Sequence, residues 1–199
     1  MIRYYTLLFF LTLTACLLQQ LIAPVTLWYD ARFLLLPLFF LCASVTVGVN
    51  MMLTLAFVAG FLWDTQHYLG PQGGDPAIYQ YSVPNMRFGY SILLYGFMGM
   101  LMQSIQPLFR RGIWQVSALL SGVSIALYLS IEFLLIAFVR GSYQLPLEVL
   151  HKIWISSTLT MIASPIIFAL LFYLAKYSNH TIRYDGLRKR YFTPEPPIE

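Results

Sequence analysis

Apolar runs follow one another along nearly the whole 199-residue chain, parted only by short polar gaps. Runs of this kind offer no polar face to water, so they do not suit the surface helices of a soluble domain. In hydrocarbon the options narrow, because each backbone N–H and C=O must be satisfied within the chain and open spans become helices. Composition supports that solvent: only 10% of residues are charged, against about 25% in soluble domains. The chain therefore reads as all-α, a polytopic membrane protein.

Breaks in the apolar pattern place six helices at residues 4–23, 33–47, 51–63, 88–106, 113–139 and 149–177, the last starting no later than 152. A crossing takes about 20 residues, so the expected architecture is a six-transmembrane-helix bundle. The second and third runs are short, and only Gly48-Val49-Asn50 separates them, so they form a tight helical hairpin or a broken pair. Asp64 reads as a polar stop, and residues 64–87, with Gly70, Pro71, Gly73, Gly74, Pro76 and Pro84, as the longest loop. Pro107 closes the fourth span. The expected domains are a transmembrane unit at 1–177 and a basic tail at 178–199 that ends in Pro194, Pro196 and Pro197.

The net charge of +4 does not form a nucleic-acid stripe. Arg110 and Arg111 lie between two spans, and Arg188, Lys189 and Arg190 follow the last, as basic groups do on a cytoplasmic membrane face. With the amino terminus inside, eight of the twelve Lys and Arg fall on the inner side. The bias predicts both termini in the cytoplasm and the long loop outside. Cys16 follows Leu13-Thr14-Ala15, as a lipoprotein cysteine would, but the apolar run continues through Leu17, Leu18, Leu21 and Ile22, so the first span reads as an uncleaved anchor.

Two polar or small-residue stripes stand out. Ser117, Ser121, Ser124, Tyr128 and Glu132 recur at steps of three or four and share one face of the fifth span. A carboxylate in hydrocarbon is either functional or held in a clasp between helices, and no second intramembrane carboxylate or His accompanies Glu132 as a relay would require. Gly89, Gly96, Gly99, Gln103 and Gln106 line the fourth span in the same way, and small residues of this kind let helices approach or a partner helix dock. Asp64, His67 and Asp75 match no metal-ligand spacing. No nucleophile elbow, zinc-protease motif or phosphate loop occurs. The expectations are therefore no catalytic residues, no metal and no cofactor.

One combination of motifs points to a family. Ala59-Gly60-Phe61-Leu62-Trp63-Asp64 ends a span, Phe88-Gly89-Tyr90 begins the next, and that span finishes at Arg110-Arg111-Gly112. This resembles the rod-shape-determining protein MreD family of the bacterial inner membrane, in which a G-x-L-x-D-like segment runs through a turn into a span with a basic end. Gly60 and Asp64 are the motif positions. Residues 64–88 are longer and richer in Gly and Pro than the family's turn.

The resemblance implies a non-catalytic scaffold of the cell-elongation complex. Such a subunit binds the transmembrane helix of an MreC-like bitopic protein, works beside MreB, RodA and a penicillin-binding transpeptidase, and contacts membrane lipids but no nucleic acid. The family's bundle is similar to the substrate-binding subunits of energy-coupling-factor vitamin transporters. That similarity supplies the alternative function.

Overall fold

A computed structural model describes residues 2–22, 33–68, 89–109, 114–140, 147–180 and 182. All its secondary structure is helical: α1 (Ile2–Leu21), α2 (Leu35–Thr46), α3 (Val49–Tyr68), α4 (Tyr90–Phe109), α5 (Trp114–Arg140) and α6 (Leu147–Tyr177). Three stretches are long and apolar enough to cross a membrane, Arg3–Leu21, Ala118–Phe138 and Val149–Tyr177. Their outward side chains are large and apolar, among them Phe10, Leu17, Leu119, Phe138, Ile162 and Ile166. Such a surface suits lipid chains and would be costly in water.

The organising element is the shortest helix. At 12 residues, α2 is about 18 Å long and packs against each of the other five helices. Eleven of its residues are buried. That position explains its composition, since Leu36, Leu38, Phe39, Phe40, Leu41 and Val45 are apolar on every side and leave no face for water. It also explains the length, because a helix enclosed by protein does not have to span the bilayer itself.

Val47 is extended, with φ −116° and ψ 166°, and the Gly48 carbonyl then accepts the first α3 bond, from the Met52 N–H at 2.9 Å. The hairpin read from Gly48-Val49-Asn50 is therefore present, with a turn of two residues.

Most boundaries shift by a residue or more from the sequence reading, and three of the shifts change a residue's role. Asp64 does not stop α3, which runs on through His67 to Tyr68. Pro107 does not end α4 but sits in its last turn, where its missing N–H leaves the Gln103 carbonyl without its intrahelical donor. The fourth helix starts at Tyr90, so Gly89 precedes it.

A further proline, Pro165, lies inside α6. It cannot donate to the Met161 carbonyl four residues back, and the Ser164 hydroxyl donates to that oxygen instead, at 2.9 Å. A neighbouring hydroxyl thus satisfies the backbone group that proline leaves open.

Candidate functional site

A helix that ends inside a protein presents four carbonyls with no intrahelical donor. At the C-terminus of α2 these belong to Ala43, Ser44, Val45 and Thr46, and each has a side-chain partner. The Thr46 hydroxyl donates to the Ala43 carbonyl at 2.8 Å. The Gln103 amide donates to Ser44 O at 2.6 Å and to Val47 O at 2.7 Å. Gln106 donates to Val45 O at 2.6 Å. His180 Nε2 lies 3.3 Å from Thr46 O, where it meets a carbonyl and so must be the nitrogen carrying the hydrogen.

His180 reaches this point because Asn179 adopts a left-handed conformation, φ 52°. The chain after α6 closes with His180 N–H to Ala175 O at 2.8 Å and Asn179 N–H to Lys176 O at 3.2 Å, the paired bonds of a Schellman C-cap. The imidazole then stacks on Tyr4, with ring centres 4.4 Å apart. Tyr4 in turn donates its hydroxyl hydrogen to Thr46 Oγ1 at 2.8 Å. One end of α2 therefore ties together α1, α4 and the segment after α6.

The other end of α2 is closed by α1. Gln19 accepts the Leu36 N–H at 3.0 Å and donates to the Phe33 carbonyl at the same distance. Pro37 stands in the first turn, where its missing N–H would have been an orphan in any case. Glutamines thus clamp α2 at both termini.

The seam between α3 and α4 gives the motif positions a physical role. A Cβ built on Gly60 would lie 2.5 Å from Ile92 Cα, so the two backbones meet where only glycine fits. One turn further along α3, buried Asp64 accepts the Gly89 N–H at 2.7 Å. Its carboxylate caps the positive end of the α4 dipole. Gly89 has φ +101° and open space around its missing side chain, so backbone conformation, not packing, calls for glycine there.

The α4 stripe therefore divides by role. Gly99 packs beneath Met52 and Phe40, where a Cβ would collide with the Met52 sulfur. Gln103 and Gln106 are buried clamps. Gly96 borders open space among the described residues, so of the two uses read for the stripe, internal packing is met at Gly99 and not at Gly96.

On α5, Ser121 is fully buried but donates to Ala118 O of its own helix at 2.8 Å, so it makes no lateral bond. Ser124 reaches Met102 Sδ on α4 at 3.2 Å. A closer α5–α6 contact lies at Gly122: Ser157 donates to its carbonyl at 2.6 Å, and Met161 fills the space over it. The side chain of Ser117, and Arg110, Arg111, Arg188, Lys189 and Arg190, lie outside the described residues.

Tyr128 and Glu132 continue along the same α5 face toward the Asp64 end of the bundle. Here the expectation of a solitary carboxylate is corrected. The Trp63 indole, a donor only, hydrogen-bonds to Glu132, and Asp64 lies within electrostatic range. Extension of α3 past residue 63 is what places Asp64 there. Tyr95 of α4 meets Tyr128 edge to face with ring centres 5.5 Å apart, and Phe40 and Trp63 pack at 5.0 and 6.3 Å on either side of the pair. The two phenol hydroxyls are buried and face one another.

Cys16 and Cys42 are buried thiols, and Gln66 donates to the Cys16 carbonyl at 2.8 Å. Among the described residues no group of three His, Cys, Asp or Glu is placed to hold a metal ion.

Gln19, Trp63, Tyr95, Ser157 and His180 are the contributors that periodicity did not single out. Gln19 carried a usable signal, being a polar side chain in an otherwise apolar run. Tyr95 and Trp63 carried none, since aromatics are ordinary in such helices. No protein-family model, curated protein or solved structure matches the chain.

Proposed function

We propose that this chain is a non-catalytic scaffold of the bacterial inner membrane, related in role to the MreD subunit of the cell-elongation complex. It crosses the membrane six times with both termini in the cytoplasm, and its partner is an MreC-like bitopic protein whose single transmembrane helix docks on the bundle. MreB, RodA and a penicillin-binding transpeptidase complete the assembly.

The observation that carries the reading is where the polar side chains go. Gln19, Gln103, Gln106, Asp64 and Ser157 each close a helix end or join two helices. Groups spent this way hold a shape; they do not perform a reaction. The roles of Gly60 and Asp64 add support, because the motif behind the family resemblance coincides with the α3–α4 seam.

Co-expression with the MreC-like protein from the same cell tests the proposal. The expected result is a stable complex in mild detergent that survives deletion of the partner's periplasmic domain and is lost when its transmembrane helix is replaced by polyleucine. A partner left unbound, or a vitamin-sized molecule retained through purification, would replace this reading with the transporter alternative. A cysteine placed at residue 199 should label only from the cytoplasmic side.

A further inference from the structure

We propose that the end of the bundle around His180 holds an anionic phospholipid, its phosphate between Arg3 and Lys176 and its chains along the outer faces of α1 and α6. The packing order of the helices shows where. Around α2 the contacts run from α1 to α3, α4, α5 and α6, and among the described residues no packed face joins α6 back to α1, so the ring is open on that side. His180 bridges the opening at one end, its ring centre 4.4 Å from that of Tyr4 and 5.8 Å from that of Tyr5. In a membrane the rest of the opening faces lipid, whatever partner the bundle binds.

The bridge brings two cations to one place. Arg3 is the chain neighbour of Tyr4, and the Lys176 carbonyl accepts the Asn179 N–H in the same C-cap that carries His180. Both basic side chains are exposed. Asp64, Glu132 and Glu148 all stand at the opposite end of the bundle, so among the described residues no carboxylate lies near the pair.

Arg and Lys are the ordinary donors to phosphate, and a membrane supplies phosphate as a headgroup at the depth where helices end. A zwitterionic headgroup would set its ammonium against the same two cations, which favours a lipid with net negative charge. Tyr173 and Tyr177, exposed on the last turns of α6, are amphipathic rings of the kind that sit at headgroup level. Further from the end, Phe10 and Leu13 on α1 and Ile166 and Leu170 on α6 are exposed, so both helices offer apolar surface to the chains. A free phosphate ion would leave that surface unused.

Thermal unfolding of the purified full-length protein in a neutral detergent tests the site, with dioleoyl-phosphatidylglycerol titrated in and dioleoyl-phosphatidylcholine as the zwitterionic comparison. The expected result is a saturable rise in Tm with the first lipid and a much smaller one with the second. Its midpoint should move to about fivefold higher lipid in Arg3→Gln and in Lys176→Gln, and about thirtyfold in the double variant, as loss of one or two basic groups at an anionic surface implies. Both side chains are exposed, so the variants keep the fold. Lys152→Gln removes the same charge from an exposed position near the start of α6, at the opposite end, and should leave the midpoint as in wild type. Equal responses to the two lipids, an unshifted midpoint in the double variant or an equal shift in Lys152→Gln would overturn the proposal. So would full stabilisation by sodium glycerophosphate, which carries the charge without the chains.

Discussion

Replacing Gln103 with leucine tests whether the buried end of α2 is held by side chains of α4. The amide nitrogen of Gln103 donates both its hydrogens, at 2.6 and 2.7 Å, to Ser44 O and Val47 O. Gln103 is 1% exposed, so water cannot simply take its place. Leucine has similar volume and keeps the packing, which isolates the loss of the two bonds. A buried acceptor left without a donor costs about 1–3 kcal/mol, and interhelical bonds inside membranes fall toward the lower end of that scale. Two carbonyls at about 1–2 kcal/mol each predict a loss of about 2–4 kcal/mol. SDS titration of the protein in mixed micelles, followed by helical circular dichroism, measures it. Gln103→Leu should unfold at clearly lower SDS fraction, while Ser104→Leu, one residue away on the exposed face, should not. A loss below about 0.5 kcal/mol, within the range of ordinary surface substitutions, would mean that α2's carbonyls find other donors and that the clamp is not structural.

The same titration checks the other clamps and seams. Gln19→Leu removes the partner of the Leu36 N–H and should cost about 1–2 kcal/mol, with Gln19→Glu worse because a carboxylate cannot donate to Phe33 O. Gly60→Ala drives a methyl into the Ile92 backbone and should cost about 1–3 kcal/mol by overpacking, whereas Gly96→Ala meets open space and should be neutral or stabilising by up to about 1 kcal/mol; equal effects at the two positions would contradict the assigned contact. Asp64→Asn can still accept the Gly89 N–H but loses the charge at the α4 N-terminus, a change of about 0.3–1 kcal/mol, and Asp64→Leu should cost more because it loses the acceptor as well.

How much of this was legible in the sequence follows from the range of each interaction. Helical periodicity is local, so six helical segments and the break at Gly48 could be read directly. The ends of α3 and α4 could not, because Asp64 and Pro107 look like terminators when judged alone. A carboxylate within a helix is acceptable when another helix's N-terminus lies across from it, and that neighbour comes from residue 89, far along the chain.

The glycine stripe was legible only as a face. Spacing puts Gly96 and Gly99 on neighbouring parts of α4, but it cannot tell which has a helix above it; Met52 and Phe40 cover Gly99, and among the described residues nothing covers Gly96. The short length of α2 pointed to more than the sequence reading drew from it. A 12-residue apolar helix reaches only about 18 Å, so at least one of its ends must lie below the membrane surface, where water cannot serve its four orphan carbonyls or N–H groups. Donors and acceptors must then come from other helices. Glutamines are polar side chains long enough to reach a backbone without bringing a charge, and the apolar spans place Gln19, Gln103 and Gln106 opposite the ends of α2. Short helix and glutamines are thus two sides of one constraint, legible once the polar residues of a membrane chain are treated as partners for buried backbone.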